Sequence, residues 1–423
     1  MTRLTRRSFA KSLAAAAATA TLGAPALAAA RPKVVVIGGG AGGGCCAGIL
    51  ATMSSAIDVT MVEANPTHTT CFLSNWYLGG VRTLDSLTFD YRGWQGRDGP
   101  QVVTGRALGI DPDAKSVRLE SGEALRYDVL VVSPGVAFRT EEIEGLTADT
   151  AHRAPHAYSG GEQLRLLKGQ LEAMEDGGQF VMSVPKTPYR CPPAPYERAT
   201  MVARYFKRHK PNSTILILDA KQGFPEQDLY EDAWDAYYPD MIEWLPGDMI
   251  GGGVRAVDPE TLTLSTEDED FEADVVNLIP PQRAGGIAVE AGLADESGWC
   301  PVDPATLEST LVPGIHVLGD AIGIKGMPKA ASIAQTQARV CAETIAARLD
   351  LGDLPGPVYR TACWSLLADG DAIKVGATYR PSGAGVEASD PIESERDEDP
   401  ADRAANVEDA TTWYAGITAE MFG

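Results

Sequence analysis

The sequence predicts an α/β protein of two Rossmann-like units, the first split by the second, with a smaller α+β region at the C-terminal end. Three segments carry that expectation. The run Lys33-Val34-Val35-Val36-Ile37 leads straight into glycines at 38, 40 and 43 in the G-x-G-x-x-G pattern. Near the far end, Ile315-His316-Val317-Leu318 is a second buried-strand run that closes on Gly319-Asp320. Between them, Phe180 to Val184 and Thr214 to Leu218 read as strands of an inserted unit with its own order.

Along the first unit, the glycine loop should open a helix at about Gly44 to Leu50, in which Cys45 and Cys46 are small packing residues. The strand Val59 to Val62 ends at Glu63, twenty residues after Gly43. At that spacing a carboxylate accepts hydrogen bonds from an adenosine ribose. Tyr127 to Val132 is another buried strand, closed by Ser133-Pro134-Gly135. At the Gly319-Asp320 turn the glycine permits close backbone approach, and the aspartate can bond a ribityl hydroxyl or an oxygen near the phosphates. Together these segments describe an FAD-binding domain over 31–145 and 276–355, split by an insert over 146–275.

In the insert, Phe180 to Val184 runs into Pro185-Lys186-Thr187-Pro188-Tyr189-Arg190-Cys191-Pro192-Pro193, where a second nucleotide-binding unit would carry its own glycine-rich turn. Prolines lack the N–H and fix φ, so this loop cannot wrap a pyrophosphate. A stiff loop bearing a thiol replaces a phosphate cradle, and the insert reads as a Rossmann-like domain without a nucleotide loop. Its Cys191 is equally readable as a small apolar residue in a structural turn. The acidic run Glu267 to Asp274 should be a solvated hairpin. Beyond 356, Glu387 to Asp402 holds eight carboxylates and reads as a mobile surface loop. The apolar Trp413-Tyr414 and Met421-Phe422 after it suggest a tail that docks back.

The chain has 423 residues, 44% of them hydrophobic and 22% charged, which describes a globular protein with a large core. Its formal net charge of −22 disfavours nucleic acid and anionic membranes as partners and suits a basic one. Seven cysteines include no CxxC and no CxxCH, so zinc-ribbon, thioredoxin-type and c-type haem attachment patterns are absent. The five histidines show no metal-ligand spacing, and no G-x-S-x-G elbow is present. Residues 1–30 read as a twin-arginine signal peptide: Arg6-Arg7 in Thr5 to Lys11, an Ala-rich run, then Ala26-Leu27-Ala28 as a cleavage site. That implies export to the periplasm. No later stretch reaches about eighteen continuous apolar residues, so no transmembrane helix is expected.

Several segments resemble one family. YRCPPAPYERA (189–199), HTTCFLSN (68–75), NLIPPQRAG (277–285), SGWCPVD (297–303), GDAIGIKGMPK (319–329), ACWSL (362–366) and ITAEMFG (417–423) are similar to the flavoprotein subunit of flavocytochrome c sulfide dehydrogenase. The resemblance covers nearly the whole chain after the signal. It implies two Rossmann-like domains of the glutathione-reductase type plus a C-terminal interface domain over 356–423. It also implies FAD and a c-type cytochrome subunit as heterodimer partner, with sulfide as substrate. By the same resemblance Cys191 and Cys363 match a redox-active disulfide, Glu197 a carboxylate beside it that could accept a proton, and Cys71 a thioether link to the flavin. Gly38, Gly40, Gly43, Glu63, Gly319, Asp320 and Lys329 match cofactor-binding positions. Cys300 and Cys341 read as structural.

The residue types suit that chemistry, because hydrosulfide opens a disulfide by thiol–disulfide exchange. A sulfide:quinone oxidoreductase is the nearest alternative in this fold, though it would need an apolar membrane-facing C-terminus. An NADH-linked disulfide reductase is disfavoured by the missing second glycine loop. A non-catalytic flavoprotein partner is disfavoured by retention of Cys71, Cys191 and Cys363.

Overall fold

Four β-branched residues in succession make β1 (Lys33–Ile37) extended and bury it on both faces of a parallel sheet. The computed structural model describes residues 31–95, 97–354 and 356–423. The expected signal over 1–30 therefore lies outside the described residues. From β1 the chain passes through the glycine turn into α1 (Gly43–Met53), then β2 (Asp58–Glu63), the short α2 (Ser74–Leu78), β3 (Gln101–Thr104) and β4 (Val129–Val132).

The insert then builds its own layer. Its elements are α3 (Glu162–Ala173), β5 (Gln179–Val184), α4 (Ala194–His209), β6 (Thr214–Asp219), α5 (Gln227–Tyr237), β7 (Ile242–Leu245) and β8 (Val275–Leu278). These four strands are all parallel, in the order β7-β6-β5-β8. The expected boundary at 275 cuts through β8, which pairs with β5 from Val275 to Leu278. The crossing back to the first domain comes just after it, where Gln282–Ala284 pairs antiparallel with Val136–Phe138. The acidic hairpin is present, with Thr263–Ser265 paired to Asp270–Glu272.

Back in the first domain, β9 (Ile315–Val317) completes the parallel sheet β9-β4-β1-β2-β3, and α6 (Ala331–Arg348) packs beside α1. Cys45, Cys46, Cys300 and Cys341 are buried in this core.

The C-terminal region is a three-stranded antiparallel sheet followed by one long helix. The strands are β10 (Tyr359–Ala368), β11 (Asp371–Ser382) and β12 (Gly385–Glu393), and the helix is α7 (Pro400–Phe422). The acidic stretch 387–402 is a loop only over 394–399. Its first part is β12, paired with β11 and mostly exposed, so Glu387, Asp390 and Glu393 lie on the solvent side of an edge strand. Its last part starts α7, where the Asp399 side chain caps the Ala401 N–H at 2.8 Å and Pro400 takes the first turn. The tail docks on the first domain. Phe422 stacks on Phe89 at 4.8 Å, and the Tyr414 and Thr70 hydroxyls hydrogen-bond at 3.0 Å. No described helix is long and apolar enough to cross a membrane.

Candidate active site

The glycine turn at the carboxyl end of β1 is set by backbone crowding. Gly38 has φ +97°, and a Cβ there would lie 2.2 Å from the Ser133 carbonyl oxygen; one on Gly43 would lie 2.0 Å from the Gly38 oxygen. Both positions require glycine. Gly40 has ordinary clearance, its nearest neighbour being His68 at 3.6 Å, so its lack of a side chain leaves open the face toward a ligand. Glu63 closes the turn, accepting from the Gly39 N–H at 2.8 Å and from the Asn65 N–H at 3.1 Å.

Asp320 reaches the same place from the far end of the chain. Its Oδ2 lies 3.8 Å from Arg190 Nη1, and Gly319, at φ +78°, is held through its N–H by Gln337 at 2.7 Å. Around this point Asp320 Oδ1, Arg190 Nη2 and Gln282 Nε2 are buried without hydrogen-bond partners among the described residues. Orphaned donors and an acceptor at one spot beside a glycine cradle fit a polar cofactor such as FAD. Burial pushes the Asp320 carboxyl above its usual range. Lys329 reaches the same turn. Its ammonium donates to the Asp320 carbonyl at 3.0 Å and lies 3.6 Å over the Trp299 ring, so it braces the Asp320 turn. Burial lowers it to about 8.

Three cysteines from three regions of the sequence converge here. Cys71 precedes α2, Cys191 precedes α4, and Cys363 lies on β10. Cys191 is left-handed at φ +55°, a conformation that costs a non-glycine residue about 1 kcal/mol. It is held by its N–H to the Lys329 carbonyl at 2.7 Å and by its carbonyl, which accepts from Ala194 N at 3.0 Å. Both Cys191 and Cys363 are free thiols here, half-buried and close enough for each to shift the other's titration. Donation from Cys191, aided by the Thr361 and Ser332 hydroxyls, favours the Cys363 thiolate, and the same bond pushes Cys191 up. A cleft of about 370 Å³, lined by Pro188, Tyr189, Pro192, Trp299, Met327 and Lys329 among others, opens beside the Cys191 loop.

Glu197 lies under the pair, 7% exposed. Its Oε2 accepts from Asn75 Nδ2 at 2.8 Å, and its Oε1 from Trp76 Nε1 at 3.0 Å and the Leu366 N–H at 3.1 Å. Burial raises the carboxyl above its usual range, while those donors oppose the shift. The carboxylate ties α2, α4 and β10 together, the elements that carry Cys71, Cys191 and Cys363. Arg198, 2% exposed, extends the knot to Asn75 Oδ1 at 3.1 Å, Asn277 Oδ1 at 2.9 Å and the carbonyls of His156 and Ala157. Sequence reading missed Asn75, Trp76, Arg190 and Arg198. Each abuts a cysteine motif, which was the available signal.

At the insert's equivalent position the acidic strand end is engaged by side chains. Asp219, at the end of β6, is fully buried, and its carboxylate accepts from Tyr196 Oη at 2.5 Å, Trp244 Nε1 at 3.1 Å and Lys221 Nζ at 2.6 Å. Phe224 stacks on Tyr196 at 3.6 Å. The loop between β5 and α4 carries prolines where the first domain has its glycine turn.

Residues 164–280 match the family described as sulfide dehydrogenase [flavocytochrome c] flavoprotein chain, central, and residues 355–422 match flavocytochrome c sulphide dehydrogenase, flavin-binding. The chain belongs to the flavocytochrome c sulfide dehydrogenase flavoprotein family. Residues 32–174 match the broader pyridine nucleotide-disulphide oxidoreductase family. A mitochondrial sulfide:quinone oxidoreductase of Mus musculus is 24% identical over 248 residues, 56% of this chain and 54% of that protein. The chain thus spans about half the length of the curated relatives it matches. Among solved structures, the sulfide:quinone oxidoreductase of Aquifex aeolicus superposes with a TM-score of 0.72 at 18% identity, covering 92% of each chain. A NAD-dependent persulfide reductase from A. fulgidus gives 0.63 at 17% identity, over 90% of this chain and 77% of that one. These likenesses show the same fold: paired Rossmann-like domains of the disulfide-oxidoreductase type.

Proposed function

We propose that this family member is the periplasmic, FAD-containing subunit that oxidises sulfide at Cys191 and Cys363 and passes electrons to a c-type cytochrome subunit. The observation that carries the reading is the meeting of two free thiols, one from the insert and one from β10, beside a glycine cradle with orphaned polar atoms. When bound, FAD supplies the conversion of a two-electron oxidation into one-electron steps. The backbone at Gly38, Gly40 and Gly43 would hold its pyrophosphate, Glu63 its ribose, and Asp320 and Arg190 its polar chain.

The protein's own part is the sulfur chemistry. In the oxidised enzyme the two cysteines form a disulfide, and hydrosulfide attacks Cys191. The Cys191–Cys363 bond breaks, a Cys191 persulfide forms, and Cys363 leaves as the thiolate. That direction follows from the hydrogen bonding that favours a Cys363 thiolate, since the thiol of lower pKa leaves faster. Glu197 holds the three elements in register.

Two results are expected. Sulfide should reduce a c-type cytochrome in the presence of the holoprotein, with a water-soluble quinone slow in comparison. Rapid quinone reduction with cytochrome inert would replace this reading by a sulfide:quinone oxidoreductase. Acid precipitation should leave the flavin in the pellet, and Cys71→Ser should release it to the supernatant. Flavin freed from wild-type protein would remove the thioether while leaving FAD binding intact.

A further inference from the structure

The cysteine pair must exchange protons with solvent, and Glu197 is poorly placed to do so because its oxygens already accept from three fixed donors. A second carboxyl sits at the start of α5, the helix that packs on β10. Glu226 caps α5 in the left-handed region, φ +57°, and its Oε2 is buried without a hydrogen-bond partner among the described residues. The charged groups acting on it are Cys363 from β10 and Glu393 from β12. From its own helix, the buried Tyr230 donates to the Pro193 carbonyl at 3.4 Å, and Glu226, Glu197 and Cys191 act on it. Arg396 is taken by Asp228 and Asp232.

The sheet register explains the alignment. Cys363 pairs with Val375, and Val375 pairs with Glu393, so one row across β10, β11 and β12 runs from the reactive sulfur to an exposed carboxylate. Burial, then the charges of Cys363 and Glu393, pushes Glu226 up to about 8. A carboxyl near that value both takes and gives a proton at neutral or mildly alkaline pH.

We propose that Glu226 is the proton relay of the cysteine pair, taking the proton that reaches Cys363 and delivering it to Glu393 and water. The relay rests on the sulfide reading above. Oxidation of HS⁻ to zero-valent sulfur releases two electrons and one proton. Both electrons go to bound FAD together with a proton that is returned when the acceptor removes them, so the full turnover still releases one proton. The proton leaves the Cys191 persulfide for the adjacent Cys363 thiolate and then passes to ionised Glu226. A second hydrosulfide takes the outer sulfur as hydrodisulfide, HSS⁻, and the Cys191 and Cys363 thiolates re-form their bond as they give up the two electrons.

The test is alkylation of the reduced holoprotein with iodoacetamide from about pH 6 to about pH 10, with modification at Cys363 followed by mass spectrometry. Wild-type protein should show two inflections, because the thiol and Glu226 titrate as a coupled pair. Glu226→Gln should remove the inflection that Glu226 contributes and slow sulfide-driven flavin reduction by about tenfold or more. Glu393→Gln, on an exposed strand, should move that inflection to lower pH, since it takes away a charge that raises Glu226. A wild-type alkylation profile in Glu226→Gln, or an unmoved inflection in Glu393→Gln, overturns the relay while the sulfide reading stands. If sulfide leaves the wild-type flavin oxidised, the relay and the proposed function fall together.

Discussion

Cys363→Ser is expected to abolish sulfide-driven bleaching of the flavin while dithionite still bleaches it, and Cys191→Ser is expected to do the same. The loss should be at least about 10³-fold, because exchange needs both sulfurs and no nearby group replaces either. The two positions meet only because the insert and the C-terminal sheet fold over the same point. A bond between them could in principle serve only as a staple. A staple would survive sulfide, and its loss would lower the melting temperature while flavin reduction persisted. Stopped-flow absorbance and thermal unfolding on the same preparations separate the two roles. Sulfide turnover surviving in Cys363→Ser would remove the disulfide mechanism.

Glu197→Ala should be the most destabilising substitution near the site. It strands the Asn75 amide, the Trp76 indole N–H and the Leu366 N–H in a buried place, at about 1 kcal/mol or more for each. Glu197→Gln keeps one acceptor oxygen but points an amide at a donor, so about half that loss is expected, with turnover slowed and not abolished. The check is calorimetric melting together with flavin content. An alanine variant with wild-type melting would contradict the tie between α2, α4 and β10.

Much of this fold was legible because its signals are local. The glycine spacing, the apolar run before it and the acid at Glu63 all lie within one β-α-β unit, and backbone crowding at Gly38 and Gly43 is the physical reason the pattern exists. The Pro-rich loop was likewise readable from the prolines themselves, although the aromatic packing of Tyr196, Phe224 and Trp244 beside it is visible only in three dimensions. Composition misled over 387–402. Eight carboxylates suggested a loop, but an edge strand tolerates charge on its exposed face, and the Asp399-Pro400 capping signal was there to be read. Glu197 and Glu226 were harder. One was read from the resemblance as a carboxylate that could accept a proton, and its donors Asn75 and Trp76 come from a segment distant in sequence; the other starts α5, which meets β10 only in three dimensions.

The central claim is that this flavoprotein takes its electrons from sulfide at a thiol pair and from no nicotinamide. An anaerobic titration of the purified holoprotein, followed by flavin absorbance, tests it most directly. The account predicts rapid bleaching by sulfide and no reduction at a useful rate by NADH or NADPH, because a proline loop stands where a second glycine-rich turn would bind their pyrophosphate. Rapid bleaching by NADH with sulfide inert would contradict it.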